Sequence, residues 1–442
     1  MDNSSLNQYL KQLSTDKSET ERLSTNIDNL HEPIHRWFPF LAGFSHNLVQ
    51  GALNHFSPED NPENFVVFDP FTGSGTTAVV GKQLGHVVLG NETNPLLYKI
   101  SKVKVRTNID SKEVLSASKK LLKKARTSWE RTSIKNENEL LQRCYSRDNL
   151  KKLVTLRESL NESDIPESLR EYMFMALTMS LPKAAKVGIS VPYVSWNNSR
   201  TAQSAFSAFS KGSEQIAQDL DQSELSSKGK AKLFLHDSRH FNTKIQPKSV
   251  DLIFTSPPYL NNLDYGEALK VQLYFWKIAD SRSDVYKKIQ NHAVASATTY
   301  YNTQATHEKT LEDLLGSEVQ NSAPKVFDEI VNKAKIISRL KVTRLGGKSF
   351  DFLSVLYFHD MFKCLREMQR VLKPEQLAFL IIGDSAPYGV HIPTDTYLGE
   401  MAIEMGFSSY TLQPLRTRGE KWKSLRFRHK HLLRETMLVL RR

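Results

Sequence analysis

Two short stretches of this 442-residue chain combine residue types and spacings that chemistry on a bound ligand needs. The first is Asp69-Pro70-Phe71-Thr72-Gly73-Ser74-Gly75-Thr76-Thr77, which follows the apolar run FVVF and leads into a helical pattern. Gly73 and Gly75 permit a tight turn and a close approach of backbone to ligand. The helix N-terminus beyond them supplies free N–H groups and a positive dipole end, which suit an anionic group such as a carboxylate. Gly73, Gly75 and Ala78 also satisfy the loose dinucleotide fingerprint, with Glu92 17 residues beyond Gly75. Asp69 separates these readings: a carboxylate at the strand end repels a pyrophosphate but suits the ammonium group of S-adenosylmethionine. Glu92, in GNETNP, can accept from ribose hydroxyls in either case. A Gly-rich turn that binds nothing is the plain alternative.

The second stretch is Thr255-Ser256-Pro257-Pro258-Tyr259, directly after VDLIF. Successive prolines stiffen the backbone and remove two donors, so the carbonyls of Ser256 and Pro257 can be held towards a pocket. Such a loop accepts hydrogen bonds from an amino group, and the Tyr259 ring offers a face on which an extruded base can stack. The alternative is a rigid turn with a packed aromatic.

Placing both loops requires strands that end where helices begin. Apolar runs alternate with helical patterns through FVVF, HVVLGNE, AKLFLHDS, VDLIF, LAFLIIGD and ETMLVLRR, which predicts an α/β fold with a mainly parallel, doubly wound sheet. Ligands of such sheets bind at the strand ends that carry the two loops. Residues 1–30 read as a polar leader, with ordered structure expected from His31. Residues 111–230 read as a Lys- and Glu-rich helical insertion and 281–347 as a second, polar one. Both are candidates for contacting a substrate.

Composition bounds the partners. Lys and Arg outnumber Asp and Glu by 60 to 48, a net charge of +12, which favours a polyanion. The segments LKKARTSWER and LRTRGEKWKSLRFRHKH concentrate that charge; in the latter Lys421, Lys423, Arg426 and Arg428 interleave with Trp422 and Phe427 and are expected to bind phosphates. Cys144 and Cys364 are the only cysteines, too few for a disulfide framework or a thiolate metal site, and a reducing cytoplasm is expected. The scattered histidines do not form a ligand set. No apolar run reaches the ~18 residues of a membrane span.

DPFTGSGTT and TSPPY together resemble the amino-methyltransferases of DNA, the enzymes that make N4-methylcytosine and N6-methyladenine. The resemblance covers roughly 31–110 and 231–442. It implies a Rossmann-like class I methyltransferase fold with a seven-stranded sheet. Residues 31–110 would be the cofactor-binding half, 231–280 the catalytic part and 348–442 the C-terminal half of the sheet, with 111–230 as candidate target-recognition region. S-adenosylmethionine is the implied cofactor, held by Asp69 through Thr77 with Glu92. Asp237 of HDSRHF would lie near the adenine, and Phe44 and Ser45 of AGFS on the methionine side. Ser256, Pro257, Pro258 and Tyr259 would meet the target base. Double-stranded DNA is the implied substrate, with a cognate restriction endonuclease as functional companion in a prokaryotic cytoplasm, and no metal. The cofactor loop precedes the catalytic loop, as in members whose recognition region lies between them, but here HDSRHF sits close to TSPPY, so the large insertion falls before the third strand.

An exocyclic amino nitrogen is a weak nucleophile because its lone pair is conjugated with the ring. Acceptors at Ser256 and Pro257 that polarise the amino hydrogens, with Tyr259 fixing the line of attack, answer that difficulty by positioning and electrostatics. Methylation at cytosine C5 needs a thiolate, and neither cysteine lies in a Pro-Cys loop. Adenine enzymes of the family mostly carry Asp or Asn where this chain has Ser256, so cytosine N4 is the expected target. Adenine N6, an RNA amino group, and a DNA-binding module without turnover stay as alternatives.

Overall fold

The computed structural model describes residues 3–13, 17–40, 43–106, 109–189, 193–196, 200–222, 229–301, 306, 308–344, 347–418 and 431–442. Seven strands form one sheet: β1 (Val66–Asp69), β2 (Val87–Glu92), β3 (Lys230–Leu235), β4 (Val250–Thr255), β5 (Leu372–Gly383), β6 (Ser409–Arg418) and β7 (Leu433–Arg441). Their order is β3-β2-β1-β4-β5-β7-β6. All neighbours from β3 to β5 pair in parallel, and β7 runs antiparallel to both β5 and β6.

The central strands are apolar at nearly every position because both faces of the sheet are covered. Side chains alternate between the faces. Leu252, Phe254, Leu377, Phe379 and Ile381 enter one core, while Ile253, Ala378, Leu380 and Ile382 enter the other. The first core is roofed by the helices Thr76–Gln83 and Pro95–Lys104 and by insertion helices Ser111–Ser128, Arg147–Asn161, Glu167–Ala184 and Ala205–Gln222. The second is roofed by Pro324–Val342, Phe350–Val371 and Thr394–Glu404. Strand order reverses between β1 and β4, and the crevice outside their C-terminal ends is where such a sheet receives ligands.

The first insertion is welded to the rest. Asp219, fully buried, accepts from Ile34 N (3.0 Å), Trp37 Nε1 (2.8 Å) and the Arg36 guanidinium. Arg157 pairs with Glu137 at 2.7 Å and donates to the Phe275 carbonyl at 2.7 Å, downstream of the Pro-Pro loop.

One expectation is corrected. Order begins before His31: Asn3–Leu13 and Lys17–Leu23 are helices. Leu6, Tyr9 and Leu10 share one helical face and are buried, with Tyr9 edge-on to Phe56 at 5.2 Å and to Phe379 of β5 at 6.0 Å. Three apolar residues at helical spacing suffice to dock a segment that is otherwise polar. Among the described residues no helix is long and apolar enough to cross a membrane, and no group of His, Cys, Asp or Glu could hold a metal ion.

Candidate active site

The glycine-rich loop begins where β1, flanked by β2 and β4, ends at Asp69. The Asp69 carboxylate is buried and accepts from Phe71 N (3.0 Å) and from Thr255 Oγ1 (2.6 Å), which ties this loop to the start of the Pro-Pro loop. Thr72 N donates to Asn91 O at 3.0 Å and Gly75 N to Thr72 O at 2.8 Å, closing the turn. Gly73 and Gly75 both have positive φ, 54° and 92°, and a Cβ on Gly75 would lie 3.1 Å from the Ser101 side chain. Gly75 caps the Thr76–Gln83 helix, whose first turn therefore faces the crevice.

Glu92, at the tip of β2, completes the loop from the other side. Its Oε2 accepts from Gly73 N and its Oε1 from Asn94 N, each at 2.7 Å. Burial pushes the Glu92 carboxyl up to about 7 against those two bonds, with the nearby Asp69 adding to the rise. Burial likewise raises Asp69 to about 6, opposed by Thr255 and the Phe71 amide. Two acids held together in a dry crevice make it receptive to a cationic ligand.

The loop and Glu92 border a cavity at the strand ends. Pro70, Phe71, Thr72, Gly73, Ser74, Thr76, Glu92, Asp237 and Phe44 line it, with Ser256 and Pro258 from the second loop. Asp237 stands at the far end, gripped by Arg239 through Nη2 (2.7 Å) and Nε (3.0 Å), while Arg239 Nη1 reaches Asp360 at 3.3 Å. Asn94 lines the cavity wall, and its Nδ2 is buried with no hydrogen-bond partner among the described residues, a donor available to a ligand. Acid, amide and aromatic groups thus fit a molecule with a charged amino-acid end, a ribose and a base.

Four expected cofactor residues are not on the wall. Asp69 and Gly75 lie beneath the loop they shape, and Thr77 Oγ1 donates to Phe254 O at 3.3 Å. Ser45 is buried as the N-cap of His46–Phe56, accepting from Asn47 N at 3.2 Å and donating to Asp28 at 2.8 Å. It positions Phe44 instead of meeting the ligand.

A second chamber adjoins the first, and the two share Gly43, Phe44, Ser256 and Tyr265. Tyr259 lies in the second, its hydroxyl donating to Glu435 Oε1 at 2.5 Å, and Glu435 is paired in turn with Arg416. Arg418 carries its guanidinium 5.3 Å from the centre of the Tyr259 ring. Ser256 Oγ donates to Ile381 O at 3.2 Å. Of the four expected catalytic residues, Ser256 borders both chambers, Pro258 the first and Tyr259 the second; Pro257 borders neither.

Several wall residues escaped the motif reading. Asn91 and Asn94 flank Glu92 in GNETNP and share its strand-end position, which is the signal that could have found them. Ser24 through Ile27 of the supposed leader line the second chamber, and Ile289, His292 and Tyr300 of the second insertion close the first. Arg416 and Arg418 open the basic segment LRTRGEKWKSLRFRHKH, but nothing in the sequence linked them or Glu435 to a motif more than 150 residues away. The expected phosphate binders Lys421, Lys423, Arg426 and Arg428 lie outside the described residues.

A family model described as DNA methylase matches residues 8–103, which include the glycine-rich loop and Glu92. Similarity to curated proteins extends much further along the chain. The chain is 21% identical to the Type II methyltransferase M.BsoBI of Geobacillus stearothermophilus, over 88% of this chain and 82% of that protein. It is 22% identical to the Type II methyltransferase M.AvaI of Nostoc sp. (strain PCC 7120 / SAG 25.82 / UTEX 2576), over 99% of this chain and 94% of that one. The same figures hold for M.AvaI of Anabaena variabilis.

Proposed function

The chain belongs to the DNA amino-methyltransferases, and from that premise we propose that it transfers a methyl group from S-adenosylmethionine to N4 of cytosine within a specific DNA sequence. The observation that carries this reading is the meeting of two chambers at Ser256, one walled by the glycine-rich loop, Glu92 and Asp237, the other by Tyr259. A donor in the first chamber and a base in the second would come together at one hydroxyl.

S-adenosylmethionine, when bound, supplies an electrophilic methyl group on a sulfonium. The residues of the first chamber do the holding. Asp69 keeps the loop against β4, and the loop's Ser74 and Thr76 together with the helix N-terminus receive the amino-acid end. Glu92 retains lone pairs for ribose hydroxyls beyond its two backbone bonds. Arg239 orients Asp237 for the exocyclic amine of the adenine. In the second chamber Tyr259, anchored through Glu435, offers its ring for stacking, so a base must leave the duplex to reach it.

Ser256 Oγ accepts from the cytosine amino group and draws its lone pair out of conjugation. Its single hydrogen is donated to Ile381 O, which leaves the oxygen's lone pairs free to accept from that amine. The amino nitrogen sheds a proton after transfer, so no strong base is required. Because the relatives' names mark them as Type II methyltransferases, a companion restriction endonuclease belongs to the same proposal.

The test is tritium transfer from labelled S-adenosylmethionine to DNA, followed by mass spectrometry of the digested product. N4-methylcytosine is the expected product. N6-methyladenine alone would remove the cytosine assignment, and absence of transfer by folded protein would leave a DNA-binding module.

A further inference from the structure

The second chamber holds a cation whose bonding is unfinished. Arg416 is paired with Glu435, but Arg418 makes no ion pair among the described residues. Its Nη2 donates to Asn262 Oδ1 at 3.1 Å, and its Nη1 is buried with no acceptor among the described residues. The guanidinium lies over the Tyr259 ring, where a stacked base would sit. Gly383 of β5 makes room for both: a Cβ there would fall 2.8 Å from the Tyr259 ring and closer still to Arg418. Arg418 borders only the second chamber, on the side away from the donor cavity.

Resting on the reading of the site as a cytosine-N4 methyltransferase, we propose that Arg418 is the residue that selects cytosine, yielding the face of Tyr259 to the incoming base and bonding its ring N3 and O2. Cytosine presents its amino group and then two adjacent acceptors along one edge. With N4 at Ser256, on the boundary between chambers, N3 and O2 point into the second chamber. A guanidinium places two N–H groups side by side, matching two adjacent acceptors in parallel bonds. Adenine offers ring N1 beside a C–H, so one N–H of the pair would stay buried and unpaired, which costs binding. The guanidinium over Tyr259 keeps that face covered until a base displaces it.

The test compares wild type with Arg418→Lys and Arg418→Ala on plasmid DNA from a host without DNA methylation. Three quantities are read: N4-methylcytosine formed at limiting DNA, S-adenosylmethionine affinity by calorimetry, and DNA affinity against salt. Both variants should lose roughly ten- to a hundredfold in transfer, the discrimination of one bidentate base contact, with donor affinity unchanged. Lysine should keep DNA affinity and its salt slope while failing to restore transfer. Rescue by lysine would reduce Arg418 to a phosphate contact, wild-type transfer by the alanine variant would leave it no role, and a parallel loss of donor affinity would mark general damage; each overturns the assignment. Failure of the underlying reading shows elsewhere, as N6-methyladenine from the wild-type protein itself.

Discussion

Glu92 is an acid buried at the tip of β2, and its proton decides whether the donor chamber can accept hydrogen bonds. Its folded value near 7 lies above the ordinary 4.5, so its ionisation costs the free protein stability that is progressively lost as pH rises between those values. A ligand whose hydroxyls or positive charge favour the ionised form offsets that cost. Donor affinity should therefore rise with pH through about 7, and calorimetry across that range should show Glu92→Gln binding weakly and with a flatter profile. A pH-independent wild-type affinity would take Glu92 out of the site. Ser256→Ala should lower turnover by roughly tenfold, the worth of one hydrogen bond near the reacting atom, with less effect on donor affinity. Tyr259→Ala should behave likewise. Gly73→Val should instead weaken donor binding, because a β-branched residue resists positive φ and its side chain enters the cavity. Asp69→Ala should weaken it by releasing the loop from Thr255, not by removing a wall charge.

At the scale of elements, the helix Ala205–Gln222 and the segment Ile34–Trp37 act as one unit through Asp219. Asp219→Ala would strand a backbone amide and an indole N–H in the interior and leave the part-exposed Arg36 guanidinium without its carboxylate, at a cost of about 2–4 kcal/mol. Thermal denaturation should show a fall in Tm of several degrees, and an unchanged Tm would show that the insertion docks by apolar contact alone. The N-terminal helix follows the same logic: Tyr9 bridges helix His46–Phe56 and strand β5, so its removal loosens the segment that places Ser24 through Ile27 beside the second chamber. That helix was hidden in the sequence because seven polar residues surround its apolar stripe in NSSLNQYLKQL.

At the scale of the whole molecule, a chain with net charge +12 meets a polymer with one charge about every 1.7 Å of axis, so salt should govern its grip. Neutralising Lys421, Lys423, Arg426 and Arg428 together should lower DNA affinity on any sequence and shallow the log–log salt slope by about 0.9 for each phosphate contact removed. Wild-type affinity and slope in that variant would take the segment off the DNA path. The same segment lies in sequence between β6 and β7, the strands that carry Arg416, Arg418 and Glu435 into the second chamber, so the proposed phosphate contacts and the proposed base reading would be adjacent along the chain.

Asp69 to Thr77, Glu92 and Ser256 to Tyr259 were legible from sequence because each lies in a local motif at the end of an apolar run, where chain direction and backbone freedom are written in neighbouring residues. The alternation of those runs with helical periods likewise sufficed for a mainly parallel α/β sheet. Local pattern could not say which residue of a motif faces the ligand: Asp69 and Thr77 turn inward to Thr255 and Phe254, and Ser45 caps a helix. Nor could it bring Arg418 and Glu435 to Tyr259, or Tyr300 to the donor cavity. Those neighbours are created by a sheet order that sets β4 next to β5 and β7 beyond it, from strands more than a hundred residues apart. Contact across that distance depends on the burial of two whole cores, a property of the folded chain that no window of sequence contains.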